Sequence, residues 1–334
     1  MQSESSNVIE SGDARVWGVE FSGPRGGGLL KCGAPPERAP LPTWLVSKSE
    51  LFTAQRAASS SERRSFYLGA VTLHDHKSHG TLAEVEIHSA PIDVRTFGVF
   101  SAICQRLAMP SEVHKIGGND EACYLSCRHR LGISSGVFQN YPIARVHLAW
   151  TDLLRDLGMT DTGANRRVIR NAIENLENVT ISWSSGKAQS RLVCFLPCSP
   201  GCFNLLVSPL LWMAPESKRG VVWVDLAEQR MLRSAAAKRL HAWLSWWAPS
   251  SGGKGVRMHL LARHVWGERF DGLPFDGRAK QMIRAALHEV GSLPGWLVGE
   301  GAREMVYVSP PRYRAAKGSG KRLEPSANAA VGAV

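Results

Sequence analysis

The sequence predicts an α+β chain in which one small unit occurs twice in tandem behind a flexible N-terminal arm. The unit is a helix, a tight turn, a second helix and a β-hairpin. Three observations predict it. Amphipathic helical periods at 164–176 and 277–290 each follow a shorter helix and a turn rich in Gly and Asp. Each is then followed by two β-rich runs around a Gly-containing turn. The chain has 334 residues, 44% hydrophobic and 21% charged, which suits a soluble globular protein with room for two cores.

Residues 1–40 are rich in Gly, Ser, Pro and Arg and hold no persistent apolar period, so they read as the flexible arm. An N-terminal extension follows over 41–82, with a short helix over Leu45–Ala57 and a strand over Arg64–Leu73. Ala83–His88 alternates, Val85 and Ile87 inward against Glu84 and Glu86 outward, as a strand should. From Asp93 to Met109 the period becomes helical. Phe97, Phe100, Ile103, Cys104 and Leu107 share a stripe, and Pro110 stops it. The Gly-, Ser- and Cys-rich stretch 111–140 reads as a long connection or insertion.

The first repeated unit opens on a strand over Arg145–Trp150. Thr151 is the expected N-cap of a helix through Leu157, which Gly158 ends. The turn Met159–Gly163 leads to the helix Ala164–Leu176. Strands over Val179–Trp183 and Arg191–Leu196 then enclose the hairpin turn Ser184-Ser185-Gly186-Lys187. In the second unit Ser234 caps a helix striped by Leu240, Trp243, Leu244 and Trp247. The Gly- and Ser-rich loop 249–255, a short strand over Val256–Met258, a helix over Leu260–Trp266 and a turn over Gly267–Asp276 precede the helix Gly277–Val290. Strands over Trp296–Val298 and Glu304–Val308 close the unit around Gly299-Glu300-Gly301. This order is that of a winged helix-turn-helix. It predicts two winged-helix domains, 83–213 and 214–313, and a disordered tail over 314–334.

Charge points to the partner. The net charge is +11, and all the excess lies late in the chain: Arg230–Arg322 holds 17 Lys plus Arg against 6 Asp plus Glu, while the rest holds 23 of each. A positive field confined to one region suits a polyanion. The two amphipathic helices carry the side chains such a partner would meet. On the first, Val168, Ile169, Ala172, Ile173 and Leu176 cluster on one face. Arg167, Arg170, Asn171 and Glu174 lie opposite, with Arg166 on the flank. On the second, Ala279, Ile283, Ala286, Leu287 and Val290 form the apolar stripe. Lys280, Gln281, Arg284 and His288 face away, with Arg278 near the start. Arg pairs with guanine, Asn and Gln with adenine, and Glu accepts from cytosine. Lys187 and Arg191 in the first hairpin and Arg303 in the second are placed to reach backbone or minor groove. The expected DNA contacts are therefore Arg166, Arg167, Arg170, Asn171, Lys187, Arg191, Arg278, Lys280, Gln281, Arg284 and Arg303. The plainer alternative is that each polar stripe is only a solvated helix face.

Chemistry is expected to be absent. No G-x-x-x-x-G-K-[ST] occurs: Gly186-Lys187 is followed by Ala188, Gly253-Lys254 by Gly255 and Gly320-Lys321 by Arg322. His74-Asp75-His76, with His79 nearby, has the spacing of a nickase metal pair but a charged residue in its middle. Seven cysteines are an odd number for a disulfide framework, and Met1–Glu10 lacks a signal-peptide pattern. Reduced, buried thiols in a cytoplasmic protein are expected. Cys123 and Cys127, and Cys194, Cys198 and Cys202, have suggestive spacing, but a structural zinc site needs four converging ligands. No catalytic residue, cofactor, metal or membrane-spanning run is expected.

At these residues the chain resembles the plasmid replication initiators of the RepC and TrfA type. Val146–Gly158 with the Arg-rich helix over 165–176 is similar to their first winged helix. Ser234–Trp247, Leu260–Trp266, Arg278–Leu287 and Gly295–Val298 are similar to their second, and Ser49–Ala54 resembles a short segment ahead of it all. The 111–140 insertion and the Cys-Pro loop at 196–203 depart from the pattern. The resemblance implies binding to direct repeats (iterons) in double-stranded origin DNA through both winged helices. It also implies opening of an adjacent AT-rich tract, recruitment of the host helicase machinery, and a homodimer formed through the first winged helix. A winged-helix transcriptional repressor and a metal-dependent DNA nickase are the alternatives.

Overall fold

The computed structural model describes residues 38–47, 51–54, 64–74, 79–90, 92–108, 113–117, 121–133, 143–183, 188–212, 221–250, 255–267 and 275–311. It is a mixed α/β structure of helices and small sheets. The flexible arm expected over 1–40 lies outside these residues except for Arg38–Pro40. Those three begin β1 (Arg38–Pro42). The tail over 314–334, the turn 184–187 and most of the loop 249–255 also lie outside.

After β1 come α1 (Thr43–Ser47) and β2 (Phe52–Thr53), where one helix over 45–57 was expected. Leu51 and Phe52 are fully buried, and β2 pairs in parallel with β5 (Ile92–Asp93). Burial of this apolar pair against the rest of the fold overrides local helix preference. Between them β3 (Arg64–His74) and β4 (His79–Ser89) form a long antiparallel hairpin. Asp93 caps α2 (Val94–Leu107), its carboxylate accepting from Thr96 N–H at 2.8 Å. The stripe Phe97, Phe100, Ile103, Cys104 and Leu107 is buried as expected. Thr96, Val99, Ser101, Ala102, Gln105 and Arg106 are buried too, so beyond its first turn, where Arg95 is exposed, α2 is a central helix.

The stretch 111–140 is not a bare connection: it holds β6 (Val113–Ile116) and α3 (Glu121–Leu131). Tyr124, Cys127 and Leu131 fall at i, i+3 and i+7 and are buried. They cover the sheet formed by β6, β7 (Ile143–Ala149), β10 (Val193–Ser199) and β11 (Cys202–Val207). Next come α4 (Trp150–Asp156) and α5 (Gly163–Glu177), joined by a turn in which Gly158 takes φ +68°. The N-cap of α4 is Ala149, with no side-chain cap bond, and not Thr151. The expected strand over 191–196 is two strands. β8 (Thr180–Trp183) and β9 (Ala188–Arg191) make one hairpin; β10 (Val193–Ser199) leaves for another sheet and pairs with β11 (Cys202–Val207). Fully buried Leu192 marks the change of sheet. The β8–β9 hairpin is extended by β4 and β3, giving the order β3-β4-β8-β9.

After α6 (Pro209–Trp212), β12 (Val221–Asp225) pairs with β1, Leu41 opposite Val222. Asp225 caps α7 (Leu226–Met231). Then follow α8 (Ala235–Ser250), β13 (Val256–Arg257), α9 (Met258–Trp266) and α10 (Gly277–Gly291). The chain ends in β14 (Leu297–Glu300), a turn at Ala302–Glu304 and β15 (Met305–Ser309), in the order β13-β15-β14.

Two hydrophobic clusters result. The first runs from Ala39 to Leu226 and includes Ala242; the second runs from Leu232 to Val308. The break between the clusters falls within α7 and its exit, and β1, α1 and β2 contribute Ala39, Leu41, Leu45, Val46 and Phe52 to the first cluster. Nonlocal pairing of β1 with β12 draws both segments into that core. Arg239 of α8, fully buried, joins the clusters: Nε donates to Phe52 O at 2.8 Å, and Nη1 and Nη2 donate to Val46 O at 3.3 and 3.2 Å. Burial pulls its pKa down to about 10, so it remains charged at neutral pH. No described helix is long and apolar enough to cross a membrane.

Candidate nucleic-acid interface

The α4–turn–α5 corner is built on α2. Arg106 of α2 donates from Nε (2.7 Å) and Nη2 (2.5 Å) to Oδ2 of Asp156 at the end of α4. Both side chains are over 90% buried, and breaking such a pair leaves an uncompensated buried charge. In the turn, Arg166 forms a two-point ion pair with Asp161 (2.7 and 2.8 Å), so this expected DNA contact is engaged in holding the turn. The pairing pushes the Asp161 carboxyl below its ordinary value. Thr162 caps α5 by accepting from Asn165 N–H, and Asn165 Nδ2 donates back to Thr160 O at 2.7 Å.

On α5, Ile169, Ala172, Ile173 and Leu176 are buried as the period requires, while Val168 is half-buried beside a cavity. Arg167 and Asn171 point outward, exposed, with no ion pair or side-chain hydrogen bond among the described residues. Arg170 is exposed but held on two sides. Its Nε donates to Glu174 at 3.3 Å, and its guanidinium lies 5.5 Å from the centroid of the Phe195 ring. Glu177 fixes the same strand by accepting from Phe195 N–H at 2.7 Å. Arg191, at the end of β9, is exposed; Lys187 lies outside the described residues.

The second corner is built differently. Ser234 accepts from Ala237 N–H at 3.1 Å, as expected of a cap. Glu289 of α10 reaches the same helix start and accepts from Arg233 N–H (2.8 Å) and Ser234 N–H (3.0 Å). Glu228, at the first core's edge, accepts from His241 Nε2 (2.7 Å) and Trp296 Nε1 (3.0 Å). Gln229 Nε2 meets His241 Nδ1 at 2.8 Å. The ring therefore carries its proton on Nε2.

Asp276 caps α10 by accepting from Ala279 N–H at 2.8 Å. Ala279, Ile283, Ala286, Leu287 and Val290 are buried, the stripe expected from the period. Arg278, Gln281, Arg284 and His288 are exposed, and Lys280 is half-buried. The hairpin after α10 folds over two of these cations. Arg284 makes a two-point pair with Glu300 (2.9 and 2.7 Å), and Lys280 Nζ lies 2.6 Å from Glu304 and near the Phe275 ring. The Arg284 hydrogen bonds hold the Glu300 carboxyl below its ordinary value. Arg303 is exposed at the hairpin turn with φ 56°, a left-handed conformation uncommon outside Gly.

The acids Asp161, Glu300 and Glu304, which hold cations at these two corners, are residues that sequence reasoning missed. Glu300 and Glu304 stood in the hairpin run, but nothing local assigns them to cations on α10. The cysteines also sort differently. Cys194 is buried and Cys127, also buried, has its pKa pushed up to about 11, first by burial and then by Cys123. Cys198, by contrast, is exposed, and it lies with Cys202 and His147, a residue not expected there. His74 and His79 pair at the ends of β3 and β4, and 75–76 lie outside the described residues.

Two solved structures of RctB resemble the chain. One, of selenomethionine derivatives of its domains 2 and 3, gives a TM-score of 0.38 at 12% identity, covering 80% of this chain and 96% of that one. The other, of domains 2–3, gives 0.32 at 12% identity, covering 76% and 93%. These likenesses are too loose to argue from. No curated protein sequence matches. The profile of Replication protein C (RepC) matches residues 139–312, which is more than half of the chain and takes in both corners from β7 to β15. The chain belongs to the RepC replication protein family.

Proposed function

We propose that this protein initiates plasmid replication by binding direct repeats in double-stranded origin DNA through two winged helix-turn-helix domains. The division between hydrophobic clusters supports domain limits near 38–226 and 232–311. The observation that carries the reading is α5: an exposed Arg167–Asn171 edge on the second helix of a helix–turn–helix, within the segment matched by the RepC profile. Arg167 and Asn171 read guanine and adenine edges in the major groove, and Arg191 with the β8–β9 hairpin follows the adjacent backbone. In the second domain Arg278, Gln281, Arg284 and Lys280 face the next stretch of groove.

The protein acts without catalysis in this reading. It opens the neighbouring AT-rich tract by imposing bends whose cost, several kcal/mol, is offset by contacts. The host helicase machinery is then recruited in the cytoplasm, and a homodimer forms through the first domain. Footprinting the purified protein on its plasmid's non-coding DNA tests this. Protection of direct repeats spaced by one to two helical turns beside an AT-rich tract is the expected result. Protection of one inverted repeat over a promoter identifies a repressor instead. Metal-dependent nicking of supercoiled DNA overturns the non-catalytic reading.

A further inference from the structure

At the β10–β11 turn, Cys198 and Cys202 meet His147 of β7: the two sulfurs and one ring nitrogen of His147 all lie within 4.8 Å of one another. The three come from two adjacent strand pairs. Ser199 sits opposite Cys202 across the hairpin, and Cys202 sits opposite Ala149, two residues beyond His147. Tetrahedral zinc, with Zn–S near 2.3 Å and Zn–N near 2.0–2.1 Å, needs ligand atoms about 3.5–3.8 Å apart. Closing the set takes about 1 Å of side-chain movement at an exposed turn.

The surroundings match what a metal requires of its neighbours. Asn204 lies opposite His147 on β11, its Oδ1 3.1 Å from His147 Nδ1. An amide oxygen only accepts, so while this bond is made Nδ1 carries the proton and Nε2 is the ring nitrogen with a free lone pair. The same amide contacts the Cys198 sulfur, and Ser199 Oγ lies 3.0 Å from Cys202 Sγ. One side chain thus orients two ligands and a hydroxyl steadies the third.

We propose that His147, Cys198 and Cys202 bind a zinc ion, with a water completing the tetrahedron on the solvent side. Binding displaces one proton from each thiol to solvent and leaves two thiolates and a neutral imidazole on the metal. The site sits under the start of α4. Trp150 N–H donates to Gly201 O at 3.2 Å, and the Trp150 ring packs 4.3 Å from Phe203. The ion ties this turn to β7 and so fixes where the α4–α5 corner begins. It stands independently of whether α5 meets DNA.

Cobalt substitution tests it on the full-length protein, reduced with a phosphine that leaves no competing thiol. Titration with Co2+ is expected to give one equivalent with thiolate-to-cobalt charge-transfer and tetrahedral d–d absorption, which Zn2+ then displaces. Cys198→Ser and Cys202→Ser each abolish the charge-transfer plateau at one equivalent, while Cys123→Ser leaves it intact. Asn204→Ala weakens binding roughly 10–100-fold. If either ligand serine variant fails to fold by circular dichroism, His147→Gln, whose side chain is exposed, carries the test by losing tetrahedral binding. Full-strength absorption in Cys198→Ser, or none in the reduced wild-type protein, overturns the proposal. So does a Cys198–Cys202 disulfide, shown by mass spectrometry, whose reduction yields no metal binding.

Discussion

On α5, Arg167 and Asn171 stand exposed with no partner among the described residues, whereas on α10 Arg284 and Lys280 are each held by an acid of the following hairpin. The contrast runs against the sequence charge, whose entire excess lies in the C-terminal part that contains α10. Local pairing, not regional charge, decides which cations are ready for a phosphate or a base. Any DNA reaching Arg284 must displace Glu300, while DNA reaching Arg167 displaces only water. The anchoring differs as well. The first corner hangs from a buried ion pair on a central helix; the second is pinned by Glu289 capping α8 near the surface.

Breaking the first anchor is expected to have the largest effect. Asp156→Ala takes the carboxylate away from the buried Arg106 and should cost about 3–5 kcal/mol in urea unfolding. A loss under 1 kcal/mol would show that α4 is not held by this pair. Next comes the contrast itself. Arg167→Ala should weaken specific DNA binding by about 1–3 kcal/mol, with a smaller loss on random DNA. Arg284→Ala should lose less, because the wild-type side chain must first leave Glu300; equal losses would erase the distinction between the corners.

The second anchor should be weaker and sensitive to acid. Burial alone would raise the Glu289 carboxyl, but N–H donors of Ser234 and Arg233 hold it below its ordinary value near 4.5. Its contribution, about 1–2 kcal/mol by Glu289→Ala, is complete above that pH and lost as pH falls through the lower folded value. Wild-type and Glu289→Ala unfolding curves should therefore converge on acidification, and a constant gap would remove the carboxylate from the explanation. The smallest effect is a gain. Glu300→Gln frees Arg284 and should tighten DNA binding by about 0.2–1 kcal/mol, with a steeper salt dependence. Weaker binding would assign Glu300 a contact of its own.

Periodic helices were the most legible part of the molecule. The stripes of α5 and α10 come from residues a few positions apart, and Asp93, Ser234 and Gly158 perform the cap and turn roles their chemistry favours. α3 was not legible: Tyr124, Cys127 and Leu131 are buried, but Leu125 is exposed and Arg128 buried, so polarity along the helix does not mark its inner face. Nor was the β1–β12 pair, because its partners are remote in sequence and neither strand alternates on its own. The same holds for Glu300 on Arg284 and for His147 beside the cysteines. Spacing reveals partners on one element, and these are brought together only by the tertiary fold.

Arg239 gives the joint between the two cores an unusual inheritance. Its acceptors at Val46 and Phe52 are main-chain oxygens, present whatever side chains those positions carry. Side chains around 46–52 can drift in identity as long as the path of the chain survives, but the guanidinium has no neutral substitute with the same fork of donors. Related chains should therefore vary their α1–β2 segment more freely than the single arginine that reads its shape.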